Sequence, residues 1–160
     1  MRYWLMKSEP DVFSIDDLRR NQVELWDGIR NYQARNFLRE MEVDDLAFFY
    51  HSNTQLPGIV GLMKIVETNV VDPTQFDSEN KYYDPKSFAE APRWQTVKVG
   101  YVATYSDCIT LERLKQLFTP DELWVVRRGN RLSVMPVESA VAERIFAVAK
   151  ALTLETSSSV

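Results

Sequence analysis

Two short apolar runs flank a Pro-Gly turn in the first half of the chain, and this pattern constrains the fold more than any other. The run Leu46–His51 is almost continuous in apolar and aromatic residues. It is too short for a typical helix, so it predicts a buried strand. Pro57-Gly58 then turns the chain into Ile59–Val66, a second run of the same kind. The two runs therefore predict a central hairpin.

Four further segments complete a set of six predicted strands. Each is alternating or short and apolar, and turn residues bound it. They are Arg2–Met6, Val97–Thr104, Leu123–Arg127 and Arg131–Met135. Gly129-Asn130, between the last two, is typical of a two-residue hairpin turn. Six strands with short helices, and without regular strand–helix–strand alternation, predict an α+β fold with a curved, barrel-like mixed sheet.

Capping residues indicate where the helices begin. Ser14, Asn31 and Thr110 each precede a segment with helical character, and a final helix is predicted from about Glu138 to Leu152. Residues 69–95 instead contain proline breakers among several aromatic side chains. A connection of this length in a compact domain is usually functional or disordered, and its aromatic residues favour an ordered lid.

The length of 160 residues is that of one domain, so we expect a single domain over residues 1–152 and a flexible tail over 153–160. No run approaches the roughly 18 apolar residues that span a bilayer. The first residues do not resemble a secretory signal either. We therefore expect a cytoplasmic protein without a membrane partner, and we expect it to be a monomer.

The chain contains one cysteine, Cys108, and one histidine, His51. One cysteine excludes a disulfide within the chain, and this pair does not supply a Cys/His zinc site. We therefore expect neither a metal nor a cofactor. The net charge of −4 argues against a protein that coats nucleic acid through a global positive field. Basic residues nevertheless cluster within 19–39 and 127–131, where they form either a local binding patch or a solvated surface.

Polar and aromatic side chains occur where predicted strands end. Lys7 and Ser8 follow the first strand, His51–Asn53 follows the Leu46–His51 run, and Trp26 lies in a polar loop. Stacking on a planar ligand needs rings, and reading the edge of that ligand needs hydrogen-bond donors and acceptors. These residues therefore predict a pocket for a planar, hydrogen-bonding ligand. The alternatives are a surface lysine beside a capping serine, and a tryptophan of the core.

Two further groups of residues have the same character. Asn31, Tyr32 and Arg35 lie within about one helical turn and could face one site, or they are a helix cap and a packed ring. Tyr83 and Trp94 lie on the long connection, where aromatic residues are harder to explain as core. They could stack on a base.

The sequence contains no arrangement that predicts catalysis. Asp44, Asp45 and Asp72 lack a partner for general acid–base work or metal-assisted hydrolysis. No glycine-rich motif that would hold a phosphate is present. We therefore predict no catalytic residue.

Four motifs together resemble the EVE domain family, and the resemblance runs from Tyr3 to about Val137. They are Tyr3–Pro10, Trp26–Asn36, Phe49–Asn53 and Tyr82–Lys86. The resemblance implies a PUA-like β-barrel flanked by helices, similar to the YTH domain that holds a methylated RNA base in an aromatic cage. It also implies a reader of modified bases, chiefly modified cytosine in DNA, that extrudes the base into a pocket. The chain departs from the family at Val43-Asp44-Asp45, where a glycine turn is expected.

The resemblance assigns the base pocket to ten residues of this chain. They are Lys7, Ser8, Trp26, Asn31, Tyr32, His51, Ser52 and Asn53, with Tyr83 and Trp94 as lid residues. The candidates for phosphate contacts are Arg30, Arg35 and Arg93. The expected partner is nucleic acid that carries a modified base, with DNA favoured over RNA.

Two other functions remain open from the sequence. One is an enzyme that acts on a modified nucleoside or nucleotide and uses Lys7 or Asp27 as acid or base. The other is a small-molecule or protein-interaction domain, which the acidic net charge supports. Our preferred hypothesis is the non-enzymatic reader of a modified base.

Overall fold

Six strands form one mixed sheet in the computed structural model, which describes residues 1–158. The strands are β1 (Tyr3–Ser8), β2 (Val23–Leu25), β3 (Leu46–His51), β4 (Gly58–Val71), β5 (Gln95–Thr110) and β6 (Val134–Val137). They lie in the order β2-β5-β4-β3-β1-β6. β1 and β3 are parallel, whereas every other neighbouring pair is antiparallel. The predicted α+β class and the β3–β4 hairpin are therefore confirmed. The number of strands agrees with the prediction, but β2 was not predicted and the predicted strand Leu123–Arg127 is not a strand.

The sheet is open, so the prediction of a barrel is wrong on closure. Within the described residues, β2 pairs only with β5 and β6 pairs only with β1. These edge strands contain only three and four residues. A closed barrel requires its first and last strands to pair with each other, and such short strands at the two edges do not. Register shifts along the long strands β4 and β5 bend the sheet without closing it.

Four helices flank the sheet: α1 (Ile15–Asn21), α2 (Tyr32–Glu40), α3 (Leu111–Leu117) and α4 (Ser139–Ser158). The three predicted caps are confirmed. Ser14 accepts a hydrogen bond from Asp17 N, Asn31 from Ala34 N, and Thr110 from Arg113 N. The predicted domain end at residue 152 falls inside α4. The predicted flexible tail is helical as far as Ser158, and residues 159–160 lie outside the described range. None of the described helices has the length and apolar character needed to cross a membrane.

The predicted hairpin at Gly129-Asn130 is wrong. Residues Trp124–Val126 form a 3₁₀ turn, and the following strand begins only at Val134. The Asn130 side chain donates to Trp124 O and accepts from Leu132 N, so it satisfies backbone groups that a hairpin would have paired. The sequence also gave no prediction for β2, whose three residues carry little periodicity.

Apolar residues form two clusters, one on each face of the sheet. Leu5 and Phe48 face a cluster that includes residues of α3 and α4. Trp4, Met6 and Phe49 face the other cluster, which includes residues of α1 and α2. Alternate residues of β1 and β3 therefore serve opposite cores, as the two-residue period of a strand requires. Only the ends of these strands are left to form a site.

The departure from the family at Val43-Asp44-Asp45 has a structural explanation. Asp44 has a φ of 76°, the left-handed conformation that a glycine would adopt at low cost. Asp45 is buried, and its carboxylate accepts hydrogen bonds from Arg2 N, Trp4 Nε1 and Glu42 N. Burial alone would raise the pKa of Asp45, but these hydrogen bonds outweigh it and hold the pKa below its usual value. This carboxylate has a structural role.

Candidate functional site

A cleft of about 1000 Å³ opens where the parallel strands β1 and β3 end side by side. Ser8 lies opposite His51 in the register. Ser52 N donates to Ser8 O (3.0 Å), and Lys7 N donates to Ser133 O (2.8 Å). Residues of β2 and residues just before β6 also line this main cleft, so it lies between the two edges of the open sheet. Its lining residues are Lys7, Ser8, Glu9, Val12, Phe13, Glu24, Leu25, Trp26, Asp27, Gly28, Ile29, Ser52, Asn53, Lys81, Tyr82, Arg131 and Ser133.

Trp26 is both a core residue and a wall of the main cleft. Its side chain is only 5% exposed and belongs to one of the two apolar clusters. The indole meets the rings of Phe13 and Phe49 edge to face, at centroid distances of 6.4 and 5.5 Å. Phe13 also lines the cleft. Trp26 is therefore a core residue that also lines the cleft, and its packing positions the aromatic wall.

Tyr82 brings a third ring to the main cleft, because glycine occupies position 28. Gly28 has a φ of 82°, and a Cβ atom there would lie 2.5 Å from the Tyr82 ring. The tyrosine can pack directly on the backbone that follows Trp26 only if this Cβ is absent. Tyr83, the neighbour named from the sequence, is instead 42% exposed and does not line the cleft.

Polar groups border the rings and can both donate and accept hydrogen bonds. The Ser8 hydroxyl donates to Phe13 O, which leaves its lone pairs free to accept. Asn53 donates from Nδ2 to Glu9 Oε1 (3.0 Å) and so fixes the mouth of the cleft. Ser52 and Ser133 add two hydroxyl groups.

Two ionisable groups in the main cleft have shifted pKa values. Burial raises the pKa of Asp27, and the nearby carboxylates of Asp72 and Glu24 raise it further. Burial lowers the pKa of Lys7. Both shifts disfavour the charged form. A ligand that donates to the Asp27 carboxylate or accepts from the Lys7 ammonium would therefore stabilise a charge that burial disfavours.

Five of the ten predicted pocket residues do not line the main cleft. Asn31 caps α2. His51 Nε2 accepts from Ile15 N (3.1 Å), and burial lowers the pKa of this histidine, so the ring serves α1 as a neutral acceptor. Tyr32 and Trp94 stack on each other at 5.1 Å and 19°. Together with the exposed Tyr83, these residues lie outside the cleft, whereas Lys7, Ser8, Trp26, Ser52 and Asn53 line it.

The three arginines proposed as phosphate contacts all have partners inside the protein. Arg30 donates to Asp72 Oδ2 (3.1 Å), Thr74 Oγ1 (3.0 Å) and Tyr82 O (2.9 Å). Arg35 lies over the Tyr32 ring and donates to Arg93 O (3.0 Å). Arg93 pairs with Asp84 at 3.4 Å and donates to the Tyr32 hydroxyl. These side chains hold the long connection in place.

A network of hydrogen bonds around Gln75 holds the long connection together. Gln75 is fully buried, and its amide donates to Asp72 O and Trp94 O while accepting from Ser87, Arg93 and Trp94. This glutamine ties both ends of the connection together. Lys81 and Tyr82 are the residues of the connection that line the main cleft.

Sequence reasoning missed several residues of the cleft, and some had a detectable signal. Tyr82 stands beside the chosen Tyr83 in the same motif, and Phe13 lies between the first strand and the Ser14 cap. Ser133 had no signal, because only the pairing of β1 with β6 brings it to Lys7. In the part of the chain that the structure describes, no three His, Cys, Asp or Glu side chains are grouped so that they could hold a metal ion.

The described residues thus form an open mixed sheet with a polar and aromatic cleft at the ends of its parallel strands. The chain belongs to the EVE domain family, whose model matches residues 2–148. The resemblance seen in the sequence is thereby confirmed.

Proteins from other organisms are similar to this chain in sequence. Thymocyte nuclear protein 1 from Mus musculus is 52% identical, and the alignment covers 84% of this chain and 68% of that protein. The protein of the same name from Danio rerio is 51% identical over 71% of this chain and 54% of its own length. The chain thus spans between about half and two thirds of these relatives.

Solved structures show the same fold. A Pseudomonas syringae protein has a TM-score of 0.88 and 48% identity, covering 92% of this chain and 99% of its own. The human THYN1 protein, crystallised in complex with DNA containing 5-methylcytosine, has a TM-score of 0.87 and 41% identity, covering 93% and 98%. The Mmi1 YTH domain in complex with RNA has a TM-score of 0.56 at 9% identity, which shows a likeness of fold alone.

Proposed function

We propose that this protein binds nucleic acid and holds one modified base, extruded from its strand, in the main cleft. The observation that carries the proposal is the meeting of three aromatic residues, Phe13, Trp26 and Tyr82, with free polar groups in one cleft of about 1000 Å³. The human THYN1 protein, 41% identical to this chain, was crystallised with DNA containing 5-methylcytosine. Modified cytosine in DNA is therefore the ligand that we propose.

The groups in the main cleft match the edge of a cytosine. Its exocyclic amine donates hydrogen bonds, for which the Asp27 carboxylate and the Ser8 hydroxyl offer acceptors. Its ring carbonyl accepts, and the Lys7 ammonium donates. Extruding a base costs a few kcal/mol. Stacking contributes about 1–3 kcal/mol for each base, so stacking together with these edge contacts offsets that cost.

Adjacent tyrosines provide a matched test. Tyr82→Ala removes a ring from the main cleft, whereas Tyr83→Ala removes an exposed ring outside it. Binding to an oligonucleotide with one 5-methylcytosine, measured by fluorescence anisotropy, is expected to weaken by about 1–3 kcal/mol in Tyr82→Ala only. Equal behaviour of the two variants would contradict the proposed site. Equal affinity of the wild type for modified and unmodified strands would contradict the proposed function.

A second function is favoured by the shifted pKa values of Asp27 and Lys7, because such shifts cluster at catalytic sites. The candidate is an enzyme that acts on a modified nucleoside. Conversion of a free nucleoside by the wild type, and its loss in Asp27→Asn, would favour this candidate over the non-enzymatic reader. The preference for DNA over RNA, the monomeric state and the cytoplasmic location stay predictions from the sequence.

A further inference from the structure

We propose that the loop Arg127–Arg131, which runs from a second, basic cleft to the main cleft, binds the phosphate backbone that flanks the extruded base, and that Arg128 in the basic cleft and Arg131 at the main cleft supply the principal contacts. This inference rests on the proposed function. It replaces the assignment of phosphate contacts to Arg30, Arg35 and Arg93, which are occupied inside the protein.

The basic cleft adjoins the main cleft at two places. Its volume is about 470 Å³, and Lys7 lines both clefts. The loop Arg127–Arg131 runs along both as well, because its first four residues line the basic cleft and Arg131 lines the main one. A nucleotide whose base enters the main cleft therefore has its backbone next to this loop.

The two clefts differ in the charge of their lining residues, and this difference suits a neutral base in one and a phosphate in the other. The main cleft carries three cationic side chains, Lys7, Lys81 and Arg131, and three carboxylates, so its charges balance. The basic cleft is lined by four cationic side chains, Lys7, Lys115, Arg127 and Arg128, and by no carboxylate. The whole chain has a net charge of −4, so this cleft stands out from its surroundings. A neutral base suits the first lining, and an anionic backbone suits the second.

The cationic groups of the loop are available to a ligand. Arg128 and Arg131 are exposed, and neither they nor Lys115 has a carboxylate within 4.0 Å among the side chains that the structure describes. Arg127 is partly committed, because its Nε donates to Pro120 O (2.9 Å) while its guanidinium lies over the Trp124 ring. The contrast with the internally paired Arg30, Arg35 and Arg93 assigns the backbone contacts to this loop.

Lys7 and Tyr50, which both line the basic cleft, also favour the binding of an anion. The Lys7 ammonium lies 5.9 Å from the centre of the Tyr50 ring, and burial lowers the pKa of this lysine. A nearby phosphate would restore the charge that burial disfavours. Burial raises the pKa of Tyr50 to about 12, so its hydroxyl stays protonated and able to donate.

The test removes the two free arginines and compares salt dependence. The double variant Arg128→Gln/Arg131→Gln is titrated with a 5-methylcytosine oligonucleotide and with the matched unmodified strand at several salt concentrations. Each lost phosphate contact makes the slope of log K against log salt shallower by about 0.7–0.9. We expect an overall change of about 1.4–1.8 and a roughly 10- to 100-fold loss of affinity at 0.1 M salt. Both strands are expected to lose affinity equally, so that the preference for the modified base is kept.

A charge-matched control separates this site from a general field effect. Lys64→Gln/Lys150→Gln removes the same charge from exposed positions on β4 and α4, outside both clefts. Its affinity is expected to stay within twofold of the wild-type value, and its salt slope is expected to equal that of the wild type. If the arginine variant keeps the wild-type slope while the wild type still prefers the modified strand, the proposed backbone site is overturned and the proposed function stands. If the wild type shows no preference for the modified strand, the proposed function fails, and with it this inference.

Discussion

Replacing Asp72 by asparagine should damage both the stability of the protein and the shape of its main cleft. The Asp72 side chain is 1% exposed and pairs with Arg30 Nη1 at 3.1 Å. The same carboxylate accepts from Gly28 N (2.8 Å), Thr74 N (2.8 Å) and Thr74 Oγ1 (2.6 Å). It therefore ties the turn after Trp26 to the start of the long connection, and these two segments carry two walls of the cleft.

The size of the effect follows from the burial of this pair. Removing one partner of a buried ion pair costs about 3–5 kcal/mol. Asparagine keeps the volume and one oxygen, so we expect a loss at the lower end, about 3 kcal/mol. For a chain of this length, each kcal/mol corresponds to about 2–4 °C in melting temperature, which gives a fall of about 6–12 °C.

The pH dependence of this loss has a definite sign. Burial alone would raise the pKa of Asp72, but hydrogen bonds from Thr74, Gly28 and Arg30 outweigh it and lower the pKa. A lowered carboxyl pKa stabilises the folded state fully above the ordinary aspartate pKa of about 3.9, and this stabilisation is lost as the pH falls through the folded-state value. The loss of folding stability in Asp72→Asn is therefore at its full size at pH 7, and it decreases only below a pH of about 3.9.

Calorimetry at pH 7, together with oligonucleotide titration, checks this prediction. Asp77→Asn is the matched control, because Asp77 lies in the same segment but is exposed; its effect should stay within about 0.5 kcal/mol. We also expect Asp72→Asn to lose its preference for the modified strand, because Gly28 and Tyr82 are no longer held together. A fall in melting temperature of less than about 2 °C would refute the reasoning, since one kcal/mol alone predicts that much.

Two further predictions concern the turn after Trp26. Gly28→Ala and Gly129→Ala both place a side chain at positive φ, but only the first meets a neighbour, the Tyr82 ring. Gly129→Ala should lose about 1–2 kcal/mol of stability in denaturant titrations, and Gly28→Ala should lose more because its Cβ would lie 2.5 Å from the Tyr82 ring. Only Gly28→Ala should lose base preference; retained preference would contradict the role given to Tyr82. Asp27→Asn should melt at a higher temperature than the wild type at pH 7, because burial raises the pKa of Asp27 and so makes its ionised form destabilising. This gain should vanish below the ordinary aspartate pKa of about 4, and a less stable variant at pH 7 would show the carboxylate to be favourably placed.

Local chemistry made much of the fold predictable. A capping side chain bonds to an amide only three residues away, so Ser14, Asn31 and Thr110 could be identified without tertiary information. Pairing between distant segments could not be read in this way. β2 exists because its three residues pair with β5 about 75 positions along the chain, and the predicted Gly129-Asn130 hairpin failed because Asn130 satisfies Trp124 O locally.

The site was predictable to the same degree. Lys7, Ser8, Ser52 and Asn53 could be identified because they follow predicted strands, whereas the parallel pairing of β1 with β3, which brings these strand ends together, is known only from the structure. The choice between Tyr82 and Tyr83 depended on packing against Gly28, which the sequence does not reveal. The roles of the arginines depended on Asp72 and Asp84, which lie about 40 and 10 positions from their partners Arg30 and Arg93. Sequence shows where charge occurs, whereas the fold decides which charges are already neutralised.

The main cleft lies between β2 and β6, the two short edge strands of the sheet. Short terminal strands with few neighbours are the first segments to exchange their backbone amides with solvent. A ligand bound in the cleft would contact residues beside both edge strands, so its binding free energy would also stabilise the two edges of the sheet. With a ligand bound, the two edge strands of the open sheet would be joined through that ligand.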